Sequence, residues 1–136
     1  MIGDMERMVA VGLVWGATNA LMRRGALLWD QTIKSSSAPQ SNPPNLRRKI
    51  LVSLESWVKL FLFWQYSLPF LINLSASATF FALISDAPIS LAVPVTNATT
   101  FAATAIFGML LGEQTRVRLA LLGTGFIVSG IWLCIT

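Results

Sequence analysis

The chain has 136 residues, a length for one domain, and 54% of them are hydrophobic while 12% are charged; soluble domains carry roughly 25% charged residues, so a water-soluble globule is excluded. With no histidine and one cysteine, Cys134, it offers neither a Cys/His metal cluster nor an internal disulfide. The net charge of +4 lies beside apolar runs and forms no basic stripe interleaved with aromatics, which argues against a nucleic-acid partner.

A bilayer's hydrocarbon core is about 30 Å thick, and about 20 apolar residues in a helix cross it. Charge-free stretches at 8–22, 60–85, 87–112 and 119–136 predict an all-α membrane protein: a single four-transmembrane-helix bundle over 1–136. The first stretch covers only about 22 Å as a helix. Gly25, Ala26, Leu27, Leu28 and Trp29 prolong it beyond Arg23 and Arg24, whose charged heads can snorkel to the interface, so the span is placed at about residues 8–29. It does not read as a signal peptide, because Asp4 and Glu6 outweigh Arg7 before it and no small-residue cleavage site follows.

Residues 30–58 form a polar, cytosolic linker, with Ser35, Ser36, Ser37, Pro39, Pro43 and Pro44 as breakers. Within it Leu46, Ile50, Leu54 and Trp57 recur at helical spacing opposite Arg47, Arg48, Lys49, Ser53 and Glu55. Residues 46–59 are therefore an interfacial helix on an anionic leaflet or a cytosolic extension of the second span. That span, about 60–85, opens with Phe61, Phe63, Trp64 and Tyr66, as interfacial belts do, and contains Pro69. Asp86, Ala87 and Pro88 leave room only for a tight turn into the third span, about 88–112, which contains Pro94. The fourth span covers about 119–136; Cys134 near its end reads as a small packed side chain.

Nine of the ten basic residues fall in the first and third connections, and only Arg7 precedes the first span. The positive-inside rule then makes those two loops cytosolic and both termini extracytosolic.

Three features resemble the drug/metabolite transporter superfamily: Trp15-Gly16-Ala17-Thr18-Asn19 in the first span, Gly112-Glu113 closing the third, and Gly123, Gly125, Ser129 and Gly130 in the last. Size and layout resemble its smallest branch, the small multidrug resistance proteins. Trp15 to Asn19 together with Pro94-Val95-Thr96-Asn97 is similar to the eukaryotic transmembrane protein 234 family. The resemblance covers most of the chain outside 30–58 and implies a transporter-like fold. Two departures matter. The small multidrug resistance proteins couple export to protons through a glutamate in the first helix, whereas this first span has no acid, so that mechanism is not expected. Their antiparallel dimers need balanced loops. The charge bias here predicts one orientation, and hence a parallel homo-oligomer or a heterologous membrane partner besides the lipid bilayer.

Polar residues inside the spans are the remaining candidates. Trp15, Thr18 and Asn19 share a face of the first span, Asn73 and Ser77 of the second, and Asn97, Thr100 and Thr104 of the third, beside Pro94. They either line a cavity at the midplane or bond the helices to each other. Gly123, Gly125, Ser129 and Gly130 read as a helix-packing surface, toward the third span or another protomer. Glu113 is expected to cap a helix end or to pair with Arg116. Asn73-Leu74-Ser75 and Asn97-Ala98-Thr99 match the N-glycosylation pattern but lie inside spans and are expected to stay unmodified. No nucleophile–base pair, phosphate-cradling glycine loop or paired carboxylate appears, so no enzyme activity, cofactor or metal is expected. The expected functions are two: a protein that binds or translocates a small solute, or a non-transporting accessory subunit of a larger membrane complex.

Overall fold

Helix formation dominates the computed structural model, which describes residues 2–36, 45–114 and 116–136. Its elements are α1 (Ile2–Ser36), α2 (Leu46–Leu62), α3 (Trp64–Asp86), α4 (Ile89–Leu110) and α5 (Val117–Ile135). Residues 37–44, which include Ser37 and the prolines of the expected linker, lie outside the described residues.

Among the described residues three helices are long and apolar enough to cross a membrane: α3, α4 and the segment Val117–Cys134 of α5. This corrects the expected four-transmembrane-helix bundle. In α1 the charge-free run is bounded by Arg7 and by Arg23 and Arg24, short of the ~20 residues that lipid demands. The helix itself, at 35 residues, is longer than expected. Over residues 30–36 Lys34 pairs with Asp30 at 2.6 Å, and Thr32, Ser35 and Ser36 return their hydroxyls to carbonyls one turn back, so their polar groups are met within the helix. Ahead of α3 the chain turns at Phe63, whose ψ of 106° lies outside the helical range. Residues 60–62 therefore belong to α2 and not to the second span. Rings of Phe61, Tyr66 and Phe70 close over this bend, and Trp29 of α1 lies 5.7 Å from Phe63. On the exposed face of α2, Lys59 holds the Glu55 carboxyl below its ordinary pKa, by a hydrogen bond first and its charge second.

Among the described residues the helix contacts centre on α1. α1 packs extensively against both α4 and α3, α5 lies on α4, α2 on α3, and α3 meets α4 only sparsely. Among the described residues α1 therefore lies between α3 and α4, with α5 beyond α4, while α2 follows α3 and also faces the last turns of α1 at Trp29 and Thr32. Met8, at 1% exposure, is clustered with Leu83, Ala87, Ala92 and Val95 near the α3–α4 turn, and Ile131 of α5 reaches this cluster. At the other end Gly25 meets the start of α3. α1 thus accompanies α3 and α4 over nearly their whole length, sheltered by protein on two sides.

Glycine makes this possible. A Cβ on Gly12 would lie 2.8 Å from the Thr96 carbonyl oxygen, and one on Gly16 would lie 2.8 Å from both the Thr100 carbonyl oxygen and the Thr104 nitrogen. These are backbone atoms that cannot give way. Gly25 sits against the Gln65 carbonyl, where a Cβ would be 2.7 Å away. Pro69 has no N–H to offer that carbonyl four residues back, and α1 covers it.

The glycines of α5 do nothing comparable. A Cβ at Gly123, Gly125 or Gly130 would meet nothing within 4 Å, and Ser129 is exposed, its hydroxyl bonded to the Gly125 carbonyl. The close packing expected of this set is found in α1 instead, because α5 lies beyond α4. Cys134 is likewise exposed, not packed.

Gly16→Val forces α1 off α4 and is expected to lower the unfolding free energy by about 1–3 kcal/mol, whereas Gly125→Val changes it by less than about 0.5 kcal/mol. Thermal unfolding in detergent measures both.

Candidate functional site

Five of the candidate residues meet on the seam between α1 and α3. The indole Nε1–H of Trp15 donates to Ser77 Oγ at 3.2 Å. The amide Nδ2 of Asn73 donates to Thr18 Oγ1 at 2.8 Å and to Asn19 Oδ1 at 3.3 Å. Helical periodicity produces this: Trp15, Thr18 and Asn19 fall on one stripe of α1, and Asn73, Ser77 and Phe80 on one stripe of α3. Phe80 closes the cluster edge-on to Trp15, with centroids 5.0 Å apart. The hydroxyls are also engaged locally, Thr18 with the Val14 carbonyl at 2.7 Å and Ser77 with the Asn73 carbonyl at 2.9 Å. Thr18 is only 3% exposed.

The α4 candidates do not join them. Thr100 and Thr104 bond the carbonyls of Thr96 and Thr100 in their own helix, at 2.8 and 2.7 Å, and their backbone supports Gly16. Pro94 is half-buried within α4. Asn97 is exposed and has no hydrogen-bond partner among the described residues. Its place is about 12 Å along a helix about 33 Å long, deep within the apolar layer.

Glu113 behaves differently from either expectation. Gly112, at φ +86°, is the residue after the α4 C-cap. Its N–H bonds the Met109 carbonyl at 3.0 Å, and the Glu113 N–H bonds the Gly108 carbonyl at 2.9 Å. These two bonds make a Schellman cap, which gives Gly112-Glu113 a structural reason. The capping is done by backbone, and the carboxylate is left free to reach across to α1. It pairs with Arg23 Nε at 3.3 Å, not with Arg116, and so fixes the two basic connections at the same end of the molecule.

Sequence reasoning passed over two features. Gly12 and Gly16 form a G-x-x-x-G pair on α1, the spacing that marks close helix approach in membranes. Thr96, whose carbonyl lies against Gly12, is fully buried and its Oγ1 has no partner among the described residues, which nothing in the sequence announces. Among the described residues no group of three acidic, cysteine or histidine side chains could hold a metal.

Asn73→Ala removes both amide bonds across the seam and is expected to lower stability by about 1–2 kcal/mol, since such bonds average about 0.6 and reach about 1.7 kcal/mol each. Thr96→Val removes an unsatisfied buried hydroxyl and is expected to raise it by about 1 kcal/mol. Thermal unfolding of the two variants should move in opposite directions.

The family model described as "Putative transmembrane family 234" matches residues 8–135, which takes in the α1–α3 seam, the glycine contacts and the Gly112 cap. A transmembrane protein 234 homolog of Dictyostelium discoideum is 35% identical over 129 residues, covering 95% of this chain and 91% of that one. One of Anopheles gambiae is 30% identical over 124 residues, covering 91% and 80%. No solved structure gives a significant match. On the family match and these two relatives, the chain belongs to transmembrane family 234 and is a multi-pass membrane protein.

Proposed function

We propose that the chain is a membrane-embedded assembly subunit, acting as a parallel pair of copies and carrying no solute of its own. The observation that carries this reading is the state of its polar residues. Trp15, Thr18, Asn19, Asn73 and Ser77 are bonded to one another across the seam, where a transport path would need them turned into open space. They act as fasteners. The drug/metabolite-transporter resemblance then concerns architecture and not activity.

Asn97 supplies the reason for a second copy. An amide deep in lipid without a partner is costly, and an amide carries both a donor and an acceptor, so two asparagines satisfy each other. In a parallel pair related by an axis along the membrane normal, identical residues lie at the same depth and Asn97 meets Asn97. In an antiparallel pair the two would miss by about 7 Å, because Asn97 is off the middle of α4. Charge asymmetry favours the parallel arrangement too. Arg23, Glu113 and the start of α5 share one end, where the basic residues gather, and the opposite end holds Arg7. The positive-inside rule sets the first end in the cytosol.

Mass determination of the intact assembly in mild detergent tests the reading. Dimers are expected, and Asn97→Leu should weaken them roughly tenfold, while alanine at Asn19 and Asn73 leaves association intact. A monomer throughout, or solute flux in reconstituted vesicles that alanine at Asn19 and Asn73 abolishes, would overturn it.

A further inference from the structure

A cleft of about 600 Å³ opens where the end of α4 and the start of α5 face α1. Arg23, Arg24 and Arg116 line it with a single carboxylate, Glu113, and Leu27 and Leu111 form its apolar wall. Glu113 engages Arg23 through Nε and leaves the other edge of that guanidinium free. Arg24 and Arg116 have no ion-pair partner among the described residues. The first turn of α5 adds to the field, because its leading N–H groups lack helical partners and Arg116 at the N-cap gives no side-chain cap. Three planar guanidinium groups and a helix N-terminus make a site for a phosphate-bearing anion.

A neighbouring cleft identifies the source of the phosphate. On the α3 side of α1, Leu21, Leu28, Trp64, Leu68 and Pro69 line a second, mostly apolar space of about 280 Å³. Arg24 borders both clefts, so one molecule with a phosphate and an alkyl chain can occupy the two at once. Trp64, 67% exposed at the start of α3, marks this level as the membrane interface. The geometry points to an anionic phospholipid, its phosphodiester held by Arg23, Arg24 and Arg116 and one acyl chain laid between α1 and α3. This site is independent of the Asn97 contact, which lies about 20 Å away along α4.

Native mass spectrometry of the full chain, exchanged between phosphatidylglycerol and phosphatidylcholine, tests the site. Phosphatidylglycerol should be retained preferentially, and Arg24→Gln with Arg116→Gln should reduce its retention roughly 30-fold. Arg24→Lys with Arg116→Lys should retain it, which separates loss of charge from loss of fold, and Arg47→Gln on α2 should have no effect. Inorganic phosphate in excess should not displace the lipid. Equal retention of the two lipids, an unaffected glutamine variant, a lysine variant as impaired as the glutamine one, or displacement by inorganic phosphate would each overturn the assignment.

Discussion

The approach of α1 to α4 through Gly12 and Gly16 holds the rest of the structure in register. Lipid solvates apolar side chains as well as protein does, so helices in a membrane associate through close backbone contact and polar bonds, with little hydrophobic drive between them. α1 needs that contact more than its neighbours do, because its charge-free run is short and arginines follow it. Gly12 and Gly16 bring it onto the backbone of α4, and Gly25 brings it onto the Gln65 carbonyl that Pro69 leaves free. Once α1 is seated, the Trp15–Ser77 and Asn73–Thr18 bonds form across the other side. The Arg23–Glu113 pair closes the end.

Packing centred on α1 divides the helices into inner and outer members. The inner members α1, α4 and α3 take the burial, and the outer members present most of their surface to lipid or to partners. Among the described residues of α5 and α2, none is buried. The molecule is therefore poor in interior and rich in flank. Polar chemistry follows the same division. Where α1 meets α3 the polar groups are satisfied within the chain, and where α4 faces outward Asn97 is not.

Apolarity along the chain made α3, α4 and α5 legible, together with the tight turn at Ala87 and Pro88, since lipid-facing surface writes itself into composition. It misled at α1, because a helix sheltered by protein need not be apolar enough for lipid. Local spacing made the α1–α3 cluster legible as two stripes, Trp15 with Thr18 and Asn19, and Asn73 with Ser77. It could not say whether those stripes would face each other or a cavity. Small residues were legible as packing residues, but the choice between Gly12 with Gly16 and Gly125 with Gly130 depends on which helix lies between its neighbours. That is a long-range fact. The partner of Glu113 was hidden for the same reason: Arg116 is near in sequence, Arg23 is near in space. The break at Phe63 leaves no signal either, because neither proline nor glycine marks it.

The account stands on α1 lying between α3 and α4, with Met8 and Leu83 in one buried cluster. Oxidative cross-linking in native membranes tests this most directly, using Met8→Cys with Leu83→Cys in a Cys134→Ser background. Rapid, near-complete formation of an intramolecular disulfide is the predicted result. Failure of this pair to join, while both cysteines remain open to a lipid-soluble maleimide, would contradict it.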